Sequence, residues 1–325
     1  MFDFSLVRYL PKDANIPFIS MRWVAMVLSI IGIIASIFLF STRNLNYGID
    51  FKGGTVLEFS IGVDPQAELE NIRILGTSLV EGEVGLQTIA RLADEETGAE
   101  RPDGLRLSIP KQPALEGADN DDKAQTAAFK KVEAAMVAAY PNYEFLSEQI
   151  LGTKVSGELK KKGAMAVILA LLMVLIYIWF RFEWQFGAGA VAALAHDVIL
   201  TIGVFSLTRL EFNLSIVAAI LTIVGYSLND TVIVYDRIRE NTRKYKTKPL
   251  EEVLNLSIND TLSRTIMTSV TTLLALVALY IWGGTGLNGF AFAMIWGVFV
   301  GTYSSIFVAA PILMLLGVKR SGVQK

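Results

Sequence analysis

"GYSLNDTVIVYDRIRENTRK", residues 225–244, begins as apolar sequence fit for a membrane and ends as a charged segment. Asn229 and Asp230 interrupt the apolar part before the charges begin. A charged side chain at the centre of a bilayer costs at least about 2.5 to 3.5 kcal/mol on insertion scales. Chains keep such residues where they pair or where they line a water path. The stretch therefore reads as the end of a transmembrane helix that carries a carboxylate for a reason.

The flanking sequence supports that reading. The chain has 325 residues, 53% of them hydrophobic, and a formal net charge of -2. A span must cross about 30 Å of hydrocarbon at about 1.5 Å per residue. Uncharged runs long enough lie at Trp23–Phe40, Gly163–Phe180, about 186–208 (carrying Asp197), about 213–235 (carrying Asp230) and 265–318. The last is too long for one helix, and "GGTGLNG" at 283–289 divides it, which makes six spans. The first resembles a signal peptide in its basic lead of Arg8, Lys12 and Arg22, but it is long and lacks a clear cleavage site, so it reads as an uncleaved span.

Short-loop basic residues set orientation. Arg237, Arg239, Arg243, Lys244, Lys246 and Lys248 follow the fourth span, and Lys319, Arg320 and Lys325 close the chain. The expected layout is a cytoplasmic N-terminus (1–22), the first span (23–40), an outer domain (41–162), five spans over 163–318 around a cytoplasmic loop at 236–262, and a cytoplasmic C-terminus (319–325). Lys160, Lys161 and Lys162 fall on the outer side against the rule, which is weak beside a large translocated domain.

Within the outer domain, "GTVLEFSIG", "EVGLQTIAR", "DGLRLSIP" and "NYEFLSEQI" read as strands. "DPQAELENIRILG" reads as a helix with Asp64 as N-cap, Pro65 in its first turn and Gly76 at its end. "DDKAQTAAFKKVEAAMVAAY" reads as a second helix, stopping before Pro141. The order is βαββαβ, a ferredoxin-like α+β domain, and that fold alone identifies no function. "TGAERPDG" and "PALEGADN" read as exposed loops. "GIDFKGGT" at 48–55 has no nucleotide-loop spacing; its Gly48, Gly53 and Gly54 suit a tight junction. Rigid rotation of the domain on joints at Gly48–Gly54 and Gly152–Gly163 is expected.

No nucleophile motif, thiol or metal cluster is legible: the chain has no cysteine and one histidine. Four ionisable residues remain. His196 and Asp197 sit mid-span in the third helix, Asp230 in the fourth, and Arg264 opens the fifth. Thr222, Tyr226, Asn229, Asp230 and Ile233 share a face; so do Arg264, Thr268, Thr271 and Ala275, and so do Ala190, Ala193, Asp197 and Thr201. Such faces pack on helices rather than lipid. Asp230 and Arg264 lie at similar depth on adjacent antiparallel helices, which makes them an expected pair. A carboxylate so placed can take up and release a proton as the guanidinium approaches and leaves. One charge moved through 100 mV is worth about 2.3 kcal/mol, enough to bias a conformational change of a few kcal/mol. The alternatives stay open: Asp230 as hydrogen-bonding glue, Arg264 snorkelling to headgroups, His196 as a packed polar residue. Gly297 and Gly301 form a GxxxG packing motif.

"NYGIDFKGGT", "RFEWQFGAGAVAALAHDV", "IVGYSLNDTVIVYDRIREN", "SRTIMTSVTTLLALVALYIWGG" and "GVFVGTYSSIFVAAPI" together resemble SecF, the smaller membrane subunit of the bacterial SecDF protein-export complex in the RND superfamily. The resemblance implies a subunit that pairs with SecD and uses the proton-motive force beside the SecYEG channel to promote late export of unfolded polypeptide. It implies no cofactor beyond the proton gradient, no enzymatic reaction, no nucleic acid, and YajC and YidC as further candidate partners. It implies an inner-membrane location with both termini cytoplasmic and the large domain periplasmic. The Asn-Asp-Thr motif falls on Asn229, Asp230 and Thr231, and the Arg-Thr motif on Arg264 and Thr265; in the family both Asp230 and Arg264 positions are implicated in proton conduction. Two other functions compete: a scaffold that stabilises SecD or the channel, and an exporter of lipid or small solute, the latter disfavoured by an insert with no long apolar stripe.

Overall fold

The computed structural model describes residues 15–63, 65–82, 84–89, 104–113, 121–151 and 153–317. Arg8, Lys12, Asp64, Gly152, Lys319, Arg320, Lys325 and nearly all of the two expected loops at 97–104 and 113–120 lie outside the described residues.

Among the described residues, six helices are long and apolar enough to cross a membrane. They are built on α1 (Arg22–Arg43), α5 (Thr153–Arg181), α6 (Trp184–Thr208), α7 (Leu214–Lys244), α8 (Leu250–Trp282) and α9 (Thr285–Ser304), the last continued by a π-helical turn, Ser305–Ala309, and α10 (Ala310–Leu316). Their ends have local causes. Asn213 caps α7, its side-chain oxygen accepting from the Ile216 amide. Arg209 in the left-handed region ends α6. Glu251 and Glu252 sit in the first turn of α8, where the helix dipole favours acids. Pro311 has no N–H to give the preceding turn, a gap at which helices widen, and the π turn lies just before it.

Helices α6, α7 and α9 form the centre of the bundle around Leu194, Ile220, Ile223, Ala293 and Val298. Helix α1 packs along α6, and α8 packs on α7 and α9. Gly297 faces Ile223 of α7 and Gly301 faces Ser227, so both glycines sit at the α9–α7 crossing.

The span boundaries differ from the sequence expectation in two places. Residues 236–262, expected as a loop, are mostly helix: α7 and α8 run on as a hairpin and only 245–249 connect them. Ile238, Val253, Leu254 and Ile258 are buried there, and Asn241 donates to Ser257 (3.0 Å) and Asp260 (3.0 Å). The charges do not mark the end of the helix. Likewise α5 begins at Thr153, ten residues before Gly163, which the uncharged run alone could not reveal.

Between α1 and α5 lies the inserted domain, with β2 (Gly54–Ser60), α3 (Leu69–Leu79), β3 (Gly85–Ile89), β4 (Gly104–Pro110), α4 (Asp121–Ala139) and β5 (Glu144–Leu151). Its sheet runs β3-β4-β2-β5, antiparallel throughout, which is the βαββαβ arrangement. Leu57, Phe59, Leu105 and Leu107 point from one face into a core with Ile72, Phe129, Val132 and Met136 of the two helices. Gly76 was expected to end its helix. It lies inside α3 instead, close to Val84 and Leu107 (3.2 and 3.6 Å from where a Cβ would stand), because the strand packs there against helix backbone. Gly54 is required by its backbone: φ is +141° and a Cβ would collide with the Ile109 carbonyl across the sheet.

The other sheet face is polar. Glu58, Arg106 and Ser147 stand opposite one another in register, and Arg106 Nε (2.8 Å) and Ser147 Oγ (2.7 Å) donate to Glu58. Burial pushes the Glu58 pKa up, but these donors and the Arg106 charge outweigh it and leave it below the usual carboxylate value. This face looks onto the α6–α7 connection. There β1 (Asn46–Tyr47) pairs in parallel with β6 (Glu211–Phe212), and the Asp50 carboxylate in the short helix α2 (Ile49–Lys52) accepts from the Leu214 amide at 2.9 Å.

Candidate functional site in the membrane

Among the described residues, the buried carboxyl and imidazole side chains of the bundle are His196 (2% exposed), Asp197 (1%) and Asp230 (6%). Helix α6 turns His196 and Asp197 inward on the face that also carries Ala190, Ala193 and Thr201, all buried. Helix α7 turns Ser227 and Asp230 toward them, one turn apart. The α9–π junction completes the site with Ser304 and Ser305.

Asp230 accepts two hydroxyl bonds, from Thr265 Oγ1 of α8 (2.6 Å) and from Ser305 Oγ (2.5 Å). Asp197 accepts from Ser227 Oγ (2.6 Å) and Ser304 Oγ (2.8 Å) on one carboxylate oxygen, while His196 Nδ1 lies 2.9 Å from the other. His196 Nε2 is buried and meets no hydrogen-bond partner among the described residues; the ring stacks against Tyr303, centroids 6.0 Å apart. Tyr303 in turn donates to the Ala25 carbonyl of α1 (2.7 Å). Nearby, Ser269 and Thr302 share a hydrogen bond of 2.7 Å. The Tyr235 hydroxyl donates to Ala309 O at the end of the π turn (3.1 Å).

Two carboxylates on neighbouring helices are thus held by adjacent residues, Ser304 at the end of α9 and Ser305 at the start of the π turn. Single π turns inside α-helices are frequent at functional sites. Hydroxyls suit carboxylates that change protonation state, since an O–H can donate to the anion and its oxygen can accept from the acid.

The expected Asp230–Arg264 ion pair is not formed in this structure: among the described residues no cation lies within 4.0 Å of Asp230. The Arg264 charge acts on it only at longer range. The reason is helical register. Arg264 and Thr265 are adjacent on α8, about 100° apart around the axis. Thr265, Ser269 and Leu276 are buried against the bundle, so Arg264, Thr268, Thr271 and Ala275 face outward. Asn229 is exposed too, as is Thr222, while Ile223, Ser227, Asp230 and Val234 form the packed face of α7. The structure therefore brings Asp197, His196 and Asp230 together and leaves Asn229 and Arg264 on the adjoining open surface. No group of three or more metal-ligating side chains occurs among the described residues.

Ser227, Ser304 and Ser305 were not singled out from sequence, and Thr265 entered only as the neighbour of Arg264 in the Arg-Thr motif. Their only signal is a run of small hydroxyl residues in apolar helix, as in "GTYSSIF" at 301–307.

Residues 131–319 match the family "Protein export membrane protein SecD/SecF, C-terminal", and residues 38–61, which hold Gly48, Gly53 and Gly54, match the "SecD/SecF GG Motif". The chain is 43% identical over 321 residues to the protein translocase subunit SecF of Rhodobacter capsulatus, covering 98% of this chain and 94% of that one. It is 40% identical over 310 residues to that of Rickettsia prowazekii, covering 95% and 93%. The crystal structure of SecDF, a translocon-associated membrane protein from Thermus thermophilus, superposes with a TM-score of 0.77 at 33% identity, covering 94% of this chain and 39% of that longer chain. The chain belongs to the SecF family of protein translocase subunits.

Proposed function

We propose that this chain, together with SecD, uses the proton-motive force to promote late-stage export of unfolded polypeptide through the SecYEG channel. The observation that carries the proposal is Asp230, buried at membrane depth and held by hydroxyls from two other segments of the bundle. A buried carboxylate with hydroxyl partners and no cation in contact can change protonation state at low structural cost. Asp197 and His196 form a second holding point beside it. Asn229, Arg264, Thr268 and Thr271 form a polar surface at membrane depth, and lipid is a poor neighbour for it. We assign that surface to SecD, whose approach sets the distance between Arg264 and Asp230. The subunit then sits in the cytoplasmic membrane with both termini inside and the inserted domain in the periplasm. It works as a transport subunit on the proton gradient alone, with YajC and YidC as further candidate partners.

A scaffold reading is favoured by one observation: each carboxylate is fully tied into hydrogen bonds between helices, as structural glue would be. Asp230→Asn separates the two. The motor reading expects proton-driven stimulation of late secretion to be lost while SecD and SecF abundance stays normal. Normal stimulation at normal abundance, or a defect that tracks lost complex, supports the scaffold.

A further inference from the structure

The inserted domain reaches the membrane helices through a hydrogen bond to a carboxylate. Gln87 Nε2 of β3 donates to Glu211 Oε2 on the α6–α7 connection (2.9 Å), bridging residues that are 124 apart in sequence. Glu211 is half-buried and lies across Gly48: a Cβ there would run into its carboxylate. Gly48 thus seats the Glu211 side chain at the root of the domain, and its own amide donates to Phe212 O (2.9 Å). Beside this contact a polar cleft of about 360 Å³ separates the sheet, through Glu58, Arg106, Ser147 and Gln149, from the helix ends at Asn213, Ser215 and Asn288.

We propose that Glu211 is a proton-binding clasp: protonated, it holds the inserted domain against the membrane helices, and ionised, it lets the domain swing away. The groups facing it come from every neighbouring element. Asp50 of α2 repels its anion, Lys52 of α2 and Arg106 of β4 attract it, and Arg106 is already committed to Glu58. Arg209 on its own connection turns away to the Arg43 and Asn44 carbonyls (2.7 and 3.0 Å). Arg73 and Lys111 line the adjoining cavity of about 780 Å³. Burial raises the Glu211 pKa above its ordinary 4.5, with Asp50 adding to the rise and the Gln87 bond and the two cations opposing it. The sign follows. A carboxyl whose pKa is raised in the clasped form binds its proton more tightly there, so clasping is fully favoured below the ordinary value and lost as pH rises through the raised one. The clasped-to-released ratio changes by at most about tenfold per pH unit inside that window.

The clasp is independent of whether Asp230 carries protons, and the test keeps them apart. The chain has no cysteine, so spin labels can be placed singly at Glu148 on β5 and Leu287 in α9, both exposed. Pulsed electron resonance on the full chain, reconstituted with its SecD partner in nanodiscs, reads the distance between them against pH. The expected result is a short distance in acid giving way to a longer one as pH rises. Glu211→Gln, which stays neutral and keeps an acceptor for Gln87, stays short at every pH. Gly48→Ala, which unseats Glu211, is long at every pH. Asp230→Asn responds as the wild type does. A wild-type distance that ignores pH, a Glu211→Gln protein with the wild-type response, or a response lost in Asp230→Asn and kept in Glu211→Gln overturns the proposal.

Discussion

Single hydroxyls decide what the buried carboxylates can do. Ser305 and Thr265 are the two side chains bonded to Asp230, and hydrogen bonds to charged groups contribute about 1.5 to 3 kcal/mol each. Ser305→Ala should therefore lower the thermal stability of the purified subunit and reduce proton-driven export by about an order of magnitude, while Ser305→Thr, which restores the hydroxyl, recovers both. A Ser305→Ala protein with wild-type stability and export shows that the bond is incidental. The carboxylates were legible in the sequence because a charge in an apolar run has few innocent explanations. Their partners were not. Ser and Thr in helices commonly bond the carbonyl four residues back, as Thr201, Ser206, Thr222 and Thr268 do here, and nothing local says which hydroxyl reaches across instead. Arg264 misled for a related reason. Residues one apart on α8 face different neighbours, and its outward face is polar enough to pass for a packed one.

Elements set the spacing that lets those hydroxyls reach. The junction of α9 with the π turn before Pro311 presents Ser304 to Asp197 and Ser305 to Asp230, and α9 comes close enough to α7 through Gly297 and Gly301. A methyl at Gly297 overlaps Ile223 and must push the helices apart. Overpacking of this kind costs about 1 to 3 kcal/mol. Gly297→Ala should lower the melting temperature in detergent, with Gly297→Val lower still; unchanged melting in both argues that the crossing tolerates a wider gap. The glycine spacing was plain in the sequence, as were the strands and helices of the inserted domain, whose apolar residues repeat at their proper periods. The π turn and the helical hairpin beyond 236 were not. A widened turn leaves no compositional mark beyond a downstream proline. The hairpin's buried Ile238, Val253, Leu254 and Ile258 lie thinly among charges that mimic a loop.

At the scale of the molecule, a polar-lined bundle and a docked α+β domain meet at residues 209–214, where the β1–β6 pairing, the Gln87–Glu211 bond and the Asp50–Leu214 bond converge. The bundle leaves Asn229, Arg264, Thr268 and Thr271 exposed, and the proposed function places the rest of the proton route on a partner that covers them. The subunit alone should then conduct protons poorly, and the complex with SecD should conduct well. The most direct measurement is proton flux into vesicles carrying equal amounts of SecD with wild-type or Asp230→Asn SecF, followed by an internal pH dye under an imposed membrane potential. The account predicts potential-driven acidification with the wild type and the protein-free background with Asp230→Asn. Equal flux from both complexes contradicts it.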